Sequence, residues 1–419
     1  MIVPFHVENM LRRVRQRFAA PEGAPNMDPR LEDVAALRPV RHATAKSVLA
    51  YIAQLGLRPQ TAEALADAAT LEQAEDYSAN IENLIGTVKL PVGIVGPLRI
   101  NGLNAQGDFN VPLATTEAAL VASYGRGALA ASRAGGVSTA VLYEGVLRTP
   151  AFVFENLLQA GQFVDWVVSN VEMLKDKAEE TTRFGKLVSL EPVIDNNITF
   201  LLCRYTTGDA AGQNMVTIAT DALCKAVAAE CPIPIKRWYV EGNFSGDKKA
   251  SALGLMTGRG RKVSASVTLP AEVVEKVLRS SVEEMLDYGR VANLGSLLSG
   301  QLGAQAHYAN GLAALYIATG QDAACVAESA VGFTRMEPRG KDLFCSVTMP
   351  NILVGSVGGG TGLPSQTACL EVLGLAGAGH GSALAEVAAA LCLCGEISIV
   401  AAMSVGQFAG AHEKLARTR

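Results

Sequence analysis

Glu117, Lys248, Asp322 and His412 are polar residues able to move a proton or hold a developing charge, and each stands among small or apolar neighbours. Lys248 is followed directly by Lys249 in "EGNFSGDKKASA", next to a turn built from Gly242, Asn243, Ser245 and Gly246. Adjacent ammonium groups repel, and neither is buried cheaply without an anion to face. An ammonium fixed where water is excluded stabilises negative charge appearing on a carbonyl oxygen. A carboxylic acid and an imidazole beside it would supply protons, the imidazole because it ordinarily titrates near neutrality. Each residue also has a structural reading when taken singly. Glu117 can be a first-turn carboxylate behind a Thr115-Thr116 cap, Lys248 a solvated loop lysine, Asp322 a helix cap, and His412 an idle tail residue.

A second set of residues suits phosphate. In "YTTGDAAGQNMVTIATDAL", Asp209, Gly212, Gln213 and Asn214 lead into a helix whose free amide groups can face a pyrophosphate. "TTRFGK" adds Arg183 and Lys186 for a further phosphate, so this segment reads as the seat of a phosphorylated cofactor. "SVGGGTGLPSQ" serves equally as a close approach to a ligand or as a bend, and no G-x-G-x-x-G stands between a strand and a helix. His6, His42, His307 and His380 read as structural, and the eight scattered cysteines form no metal pattern, as expected of reduced thiols in a cytoplasmic protein.

The elements that must position these residues fall into a recognisable order. At 419 residues, 49% hydrophobic and 18% charged, the chain is a folded protein of two or three domains. Its net charge of −4 gives no general attraction for nucleic acid or an anionic membrane. The apolar run 382–411 holds Glu386 and Glu396, which a membrane span would avoid, so it is expected as a core helix. Residues 1–80 form a helical region. The stretch "ENLIGTVKLPVGIVGPLRING" is broken by glycine and proline into extended segments, with a hairpin at Asn101-Gly102. From 151 to 240 the pattern runs β-α-β-β-α-β, the order of a ferredoxin-like unit inserted between 81–150 and 241–405, with a C-terminal flap at 406–419.

"ENLIGTVKLPVGIVGPL", "ATTEAALVAS", "GDAAGQNM", "GNFSGDKKASA", "GQDAA" and "VGGGTGLPSQ" occur in one order, and from about residue 30 onward the chain resembles the catalytic portion of the 3-hydroxy-3-methylglutaryl-coenzyme A reductase family. "VGIVGPL" and "TTE" are similar to its eukaryotic and archaeal branch, whose membrane anchor has no counterpart in this sequence. The resemblance implies an α+β fold, with a large substrate-binding domain and an inserted ferredoxin-like NADP-binding domain. It implies two hydride transfers from NADPH, which take the thioester of an acyl-CoA substrate to an alcohol, here mevalonate. Lys248 is then the catalytic ammonium, Glu117 the acid, Asp322 their partner and His412 the tail histidine. Arg183 holds the adenosine phosphate, Asn214 lies in the cofactor motif, and Arg148 and Lys249 bind substrate. The resemblance also implies a homodimer, or a multiple of one, that shares its active sites through "ENLIG".

Three positions depart from the family pattern. Glu241 stands where the family has serine, Val291 and Ala292 stand where it supplies a lysine toward the substrate carboxylate, and Ala411 replaces a serine beside the tail histidine. A carboxylate pair about 4 Å apart at an effective dielectric of 20 costs on the order of 4 kcal/mol. Glu241 near the acyl pocket would therefore oppose a dicarboxylic acyl group, unless it points away or pairs with Arg290 or Lys249. Two alternatives stand beside the mevalonate reaction: reduction of another acyl thioester lacking the distal carboxylate, and a silent homologue that binds coenzyme A or nucleotide. Retention of all four catalytic residue types weighs against the silent homologue.

Overall fold

The computed structural model describes residues 5–18 and 40–407, so His412 and most of the expected flap lie outside the described residues. Helix α1 (Phe5–Phe18) is followed by three short helices, α2 (Ala45–Gln54), α3 (Pro59–Leu65) and α4 (Ala68–Glu72). Thr44 and Ser47 form a reciprocal capping box at α2, and Pro59 opens α3, where its missing N–H costs nothing. α2 to α4 carry a small core of their own, built on Val48, Ile52, Ala66 and Leu84. Asn83 ties the following segment back, its side-chain oxygen accepting from the Val40 N–H and the Tyr51 hydroxyl, each at 2.8 Å.

Strands β1 (Val92–Gly102) and β2 (Gln106–Ala114) form the expected hairpin, with the reversal shifted to Leu103-Asn104. Asn101 and Gly102 belong to the strand, because Asn101 pairs with Gln106 and the Gly102 N–H reaches the Ala105 carbonyl at 2.8 Å. Helix α5 (Leu120–Arg133) then leads into β3 (Val137–Arg148), which joins the two halves of the molecule. Its first part pairs with β1 and with β8 (Gly260–Leu269), while Val146, Leu147 and Arg148 pair with β6 (Ile198–Thr206) of the inserted unit.

The inserted unit runs β4 (Ala151–Val153), α6 (Leu157–Ser169), α7 (Val171–Glu179), β5 (Lys186–Asp195), β6, α8 (Gln213–Glu230) and β7 (Arg237–Tyr239). Its sheet order is β7-β4-β6-β5 with all neighbours antiparallel, as a β-α-β-β-α-β unit requires. The first helix of that pattern is broken into α6 and α7 at Asn170, whose side-chain amide donates to the Trp166 carbonyl at 2.8 Å.

After α9 (Ala252–Thr257), strand β8 alternates buried and half-buried residues, the period of a strand with one covered face. A short α10 (Ala271–Val273) runs into a π turn, breaks at Arg279, and is restarted by a Ser281/Glu284 capping box as α11 (Val282–Ser299). The rest comprises β9 (Gly303–Ala304), α12 (Tyr308–Thr319), α13 (Val326–Ser329), β10 (Gly332–Arg339), β11 (Asp342–Ile352), α14 (Pro364–Leu373) and α15 (Gly381–Ser404). α15 is long and apolar enough to cross a membrane, but it is the buried core helix, packed on α5, α11, α12 and the β3-β8-β11 face. Gly127 lets α5 approach it closely, since a Cβ there would lie 1.9 Å from the Cys394 carbonyl oxygen.

The two glutamates of α15 are buried with their carboxylate oxygens hydrogen-bonded. Glu386 accepts N–H groups from Asn104, Ala105 and Val141 and the Thr139 hydroxyl, at 2.8 to 3.2 Å. Glu396 accepts from the Ala306 and His307 backbone and from the Thr334 hydroxyl. Such bonds replace the water each carboxylate gives up.

Candidate active site

Lys248 stands in a turn closed by the Lys249 N–H on the Gly246 carbonyl, 3.0 Å away. Its φ of +58° is a conformation that favours glycine or asparagine at the third position of a turn. The ammonium is 2.9 Å from Asp322 Oδ2, and this hydrogen bond holds the lysine pKa above its ordinary value. Asp322 is also the expected cap: its other oxygen accepts the Ala324 N–H at 3.0 Å and starts a 3-10 turn, Ala323–Cys325. One carboxylate thus fixes a backbone turn and an ammonium together.

The N-terminus of α8 converges on the same pair. Gly212 holds φ +79°, and a Cβ there would meet the Thr207 side chain at 2.2 Å, so only glycine fits this entry to the helix. Gln213, the first helical residue, lies 3.5 Å from Asp322 Oδ2 and donates to Cys325 Sγ at 2.7 Å. Asn214 is exposed at the second position. Arg183 is exposed and makes no side-chain hydrogen bond or ion pair among the described residues, whereas Lys186 is held by Glu179 at 2.7 Å. The structure gives Asp209 a different task from the cofactor contact expected of it. Its two oxygens accept the Gly379 and Gly381 N–H groups at 2.7 and 3.0 Å, capping α15 from 172 residues away. Burial pushes that carboxyl up, but the two backbone bonds, with Arg261 and His380 nearby, hold the group below its ordinary value.

Arg148 ends β3 and is buried. Its Nη1 lies 3.1 Å from both Glu241 and Asp247. Glu241 also accepts the Thr149 hydroxyl at 2.8 Å. Its partner is therefore Arg148, and neither of the partners weighed from sequence, because Arg290 pairs with Asp287 and Lys249 donates to the Asp247 carbonyl. Val291 is exposed on α11.

Glu117 is not at a helix start. Ala119, with φ +69°, caps α5, and Glu117 lies in the preceding loop, where Asn310 Nδ2 donates to it at 3.3 Å. Asn310 is near the first end of α12 and Asp322 lies just beyond the last. At 1.5 Å per residue that helix is about 18 Å long. Glu117 therefore does not meet Lys248 and Asp322 within one chain.

Two members of the site carried no sequence signal. Arg259 and Glu328 are fully buried 69 residues apart and joined by bonds of 2.7 and 2.8 Å.

The family model described as hydroxymethylglutaryl-coenzyme A reductase matches residues 44–417. The 3-hydroxy-3-methylglutaryl-coenzyme A reductase of Aeropyrum pernix is 43% identical over 376 residues, covering 88% of this chain and 89% of that protein. The enzyme of the same description from Methanothermobacter thermautotrophicus is 40% identical, covering 83% and 89%. Among solved structures, the class II 3-hydroxy-3-methylglutaryl-CoA reductase from Streptococcus pneumoniae bound to NADPH shares the fold with a TM-score of 0.62 at 19% identity, covering 85% of this chain and 96% of that one. Matched over most of its length and at about 40% identity to archaeal relatives, the chain belongs to the hydroxymethylglutaryl-coenzyme A reductase family.

Proposed function

We propose that this protein reduces 3-hydroxy-3-methylglutaryl-coenzyme A to mevalonate and coenzyme A, consuming two NADPH and two protons. The observation that carries this reading is the Lys248–Asp322 ion pair at the mouth of α8. The cofactor fits that place: the α8 N-terminus offers amide groups to a pyrophosphate, and Arg183, exposed and without a partner among the described residues, suits the additional phosphate of NADPH. When bound, the dinucleotide supplies hydride to the acyl carbon. Lys248 faces the oxygen on which charge then builds, and Asp322 keeps that ammonium charged and aimed. Glu117 is the proton donor for the alcohol, and His412 would protonate the departing thiolate.

The distance between Glu117 and Asp322 supports a homodimer in which Glu117 of one copy completes the Lys248–Asp322 pair of the other. Val291, Leu294, Leu297 and Leu298 are exposed along α11, and Ile81 and Ile85 are exposed around "ENLIG", apolar surface that a second copy would cover. We place the enzyme in the cytoplasm, where its eight free thiols stay reduced; recovery with membranes on cell fractionation would contradict this.

Replacing Lys248 by alanine tests the central role. The Lys248 side chain is exposed, so the fold should persist while turnover falls by about three orders of magnitude, the size expected for losing a charged oxyanion partner. Near-normal turnover would remove Lys248 from the mechanism. A second reading is favoured by one observation, the Arg148–Glu241 pair. In it the preferred thioester lacks the distal carboxylate, because Glu241 already occupies the cation such a group would seek.

A further inference from the structure

We propose that Arg259 is a positioning residue for Lys248, and that Gln213 carries its influence to the N-terminus of α8. This rests on the reading of Lys248 as the ammonium that faces the reacting oxygen. Lys248 is exposed and its backbone is in a conformation that a lysine rarely adopts, so something outside the turn must hold it there. Two contacts do so. The Lys248 N–H donates to Glu328 Oε1 at 3.1 Å, and the preceding side chain, Asp247, is held by Arg259 Nη2 at 3.0 Å.

Both contacts converge on one guanidinium. Arg259 Nη1 grips the two oxygens of Glu328 at 2.8 and 2.7 Å, so the acceptor of the Lys248 N–H cannot turn away. Its Nε donates to the Leu147 carbonyl at 3.3 Å, and its N–H is taken by Asn351 at 2.9 Å, anchoring it to β3 and β11. Arg259 and Glu328 are each 1% exposed, which makes this a rigid, dry pair. Burial pushes the Glu328 carboxyl up and the Arg259 fork opposes it. Without Arg259 nothing fixes the two carboxylate oxygens, and the one that accepts the Lys248 N–H is free to turn away. The third arm is Gln213. Its oxygen accepts from Arg259 Nη2 at 3.3 Å, while its amide nitrogen reaches Cys325 and Asp322. The first residue of α8 is thereby bonded to the same guanidinium that sets the lysine turn, so a cofactor seated on α8 meets an ammonium already aimed.

The test combines kinetics with hydrogen exchange at the Lys248 amide. The double variant Arg259→Leu/Glu328→Leu replaces a buried ion pair by apolar side chains, a change that leaves many folds intact. Its folding is checked by near-ultraviolet circular dichroism and a thermal melt. The expected result is a kcat lower by about 100-fold, the scale of a misplacement near 1 Å, with KM and NADPH affinity changed less than about threefold. The Lys248 amide should exchange at least about 100-fold faster than in the parent. Arg259→Lys keeps the charge but loses the fork, so it should show the same pattern in milder form and serves if the double variant does not fold. Glu328→Gln keeps an oxygen for the amide and should recover most of kcat. Gln213→Leu should lower kcat about tenfold while the amide stays protected, because only the link to α8 is cut. A folded Arg259 variant with parental kcat, or with a parental exchange rate at Lys248, would overturn the proposal. If Lys248→Ala itself stayed active, the oxyanion role would fall on its own evidence, and the exchange rates would still decide whether Arg259 sets the turn.

Discussion

Replacing Glu241 by serine should change which thioester the enzyme prefers. The Arg148 side chain is 8% exposed and that of Glu241 is 24% exposed, with 3.1 Å between nitrogen and oxygen. A substrate carboxylate arriving at Arg148 would sit about 4 Å from Glu241, where unscreened repulsion at an effective dielectric of 20 is on the order of 4 kcal/mol. Water reaches Glu241, and Asp247 shares the guanidinium, so about half of that or less should survive. The variant should therefore bind the dicarboxylic thioester more tightly by about 1 to 2 kcal/mol, a fall in KM of roughly five- to thirtyfold. An uncharged analogue of equal length should gain nothing, since its tail makes no charge contact. The assay is initial-rate oxidation of NADPH with each thioester, for parent and variant. An unchanged ratio of kcat/KM between the two thioesters would show that Glu241 does not act on the acyl tail.

Two further outcomes follow from the placement of single side chains. Arg183→Ala should raise the KM for NADPH at least tenfold more than that for NADH, because only the extra phosphate loses a partner; equal use of both cofactors by the parent enzyme would remove the argument. Asp209→Ala should cost about 1 to 2 kcal/mol of stability at neutral pH through loss of the α15 cap. Its folded pKa is lowered from 3.8, so this stabilisation is fully present above that value and is lost as pH falls through the folded value. The gap between parent and variant in denaturant unfolding should stay level from about pH 5 to 8 and narrow below about pH 4; a constant gap at acid pH would contradict the cap.

Local patterns were legible and long-range pairings were not. The alternation from 151 to 240 defined the ferredoxin-like order because strand and helix periods are written into neighbouring residues. The charges of α15 pointed to a core helix, whereas the break before the Ser281 cap of α11 was not read. The missed pairs are different in kind. Arg259 meets Glu328 across 69 residues, Arg148 meets Glu241 across 93, and Asp209 caps a helix 172 residues on. No period or spacing announces such partners, since each side chain alone also fits an exposed position. Glu117 shows the opposite error. Its TTE context resembled a helix start, but Ala119 in a left-handed conformation moves the helix past it and leaves the carboxylate free of the turn.

The most direct measurement mixes two inactive proteins. Lys248→Ala and Glu117→Gln are each purified, shown to be inactive, then partly unfolded and refolded together at equal concentration so that subunits exchange. If each site takes Lys248 and Asp322 from one copy and Glu117 from the other, half of the dimers are hybrids and each hybrid has one intact site. The mixture should recover about a quarter of parental activity. A mixture as inactive as its two components would place Glu117 and Lys248 in the same chain's site, or remove one of them from the chemistry, and the shared-site account would be wrong.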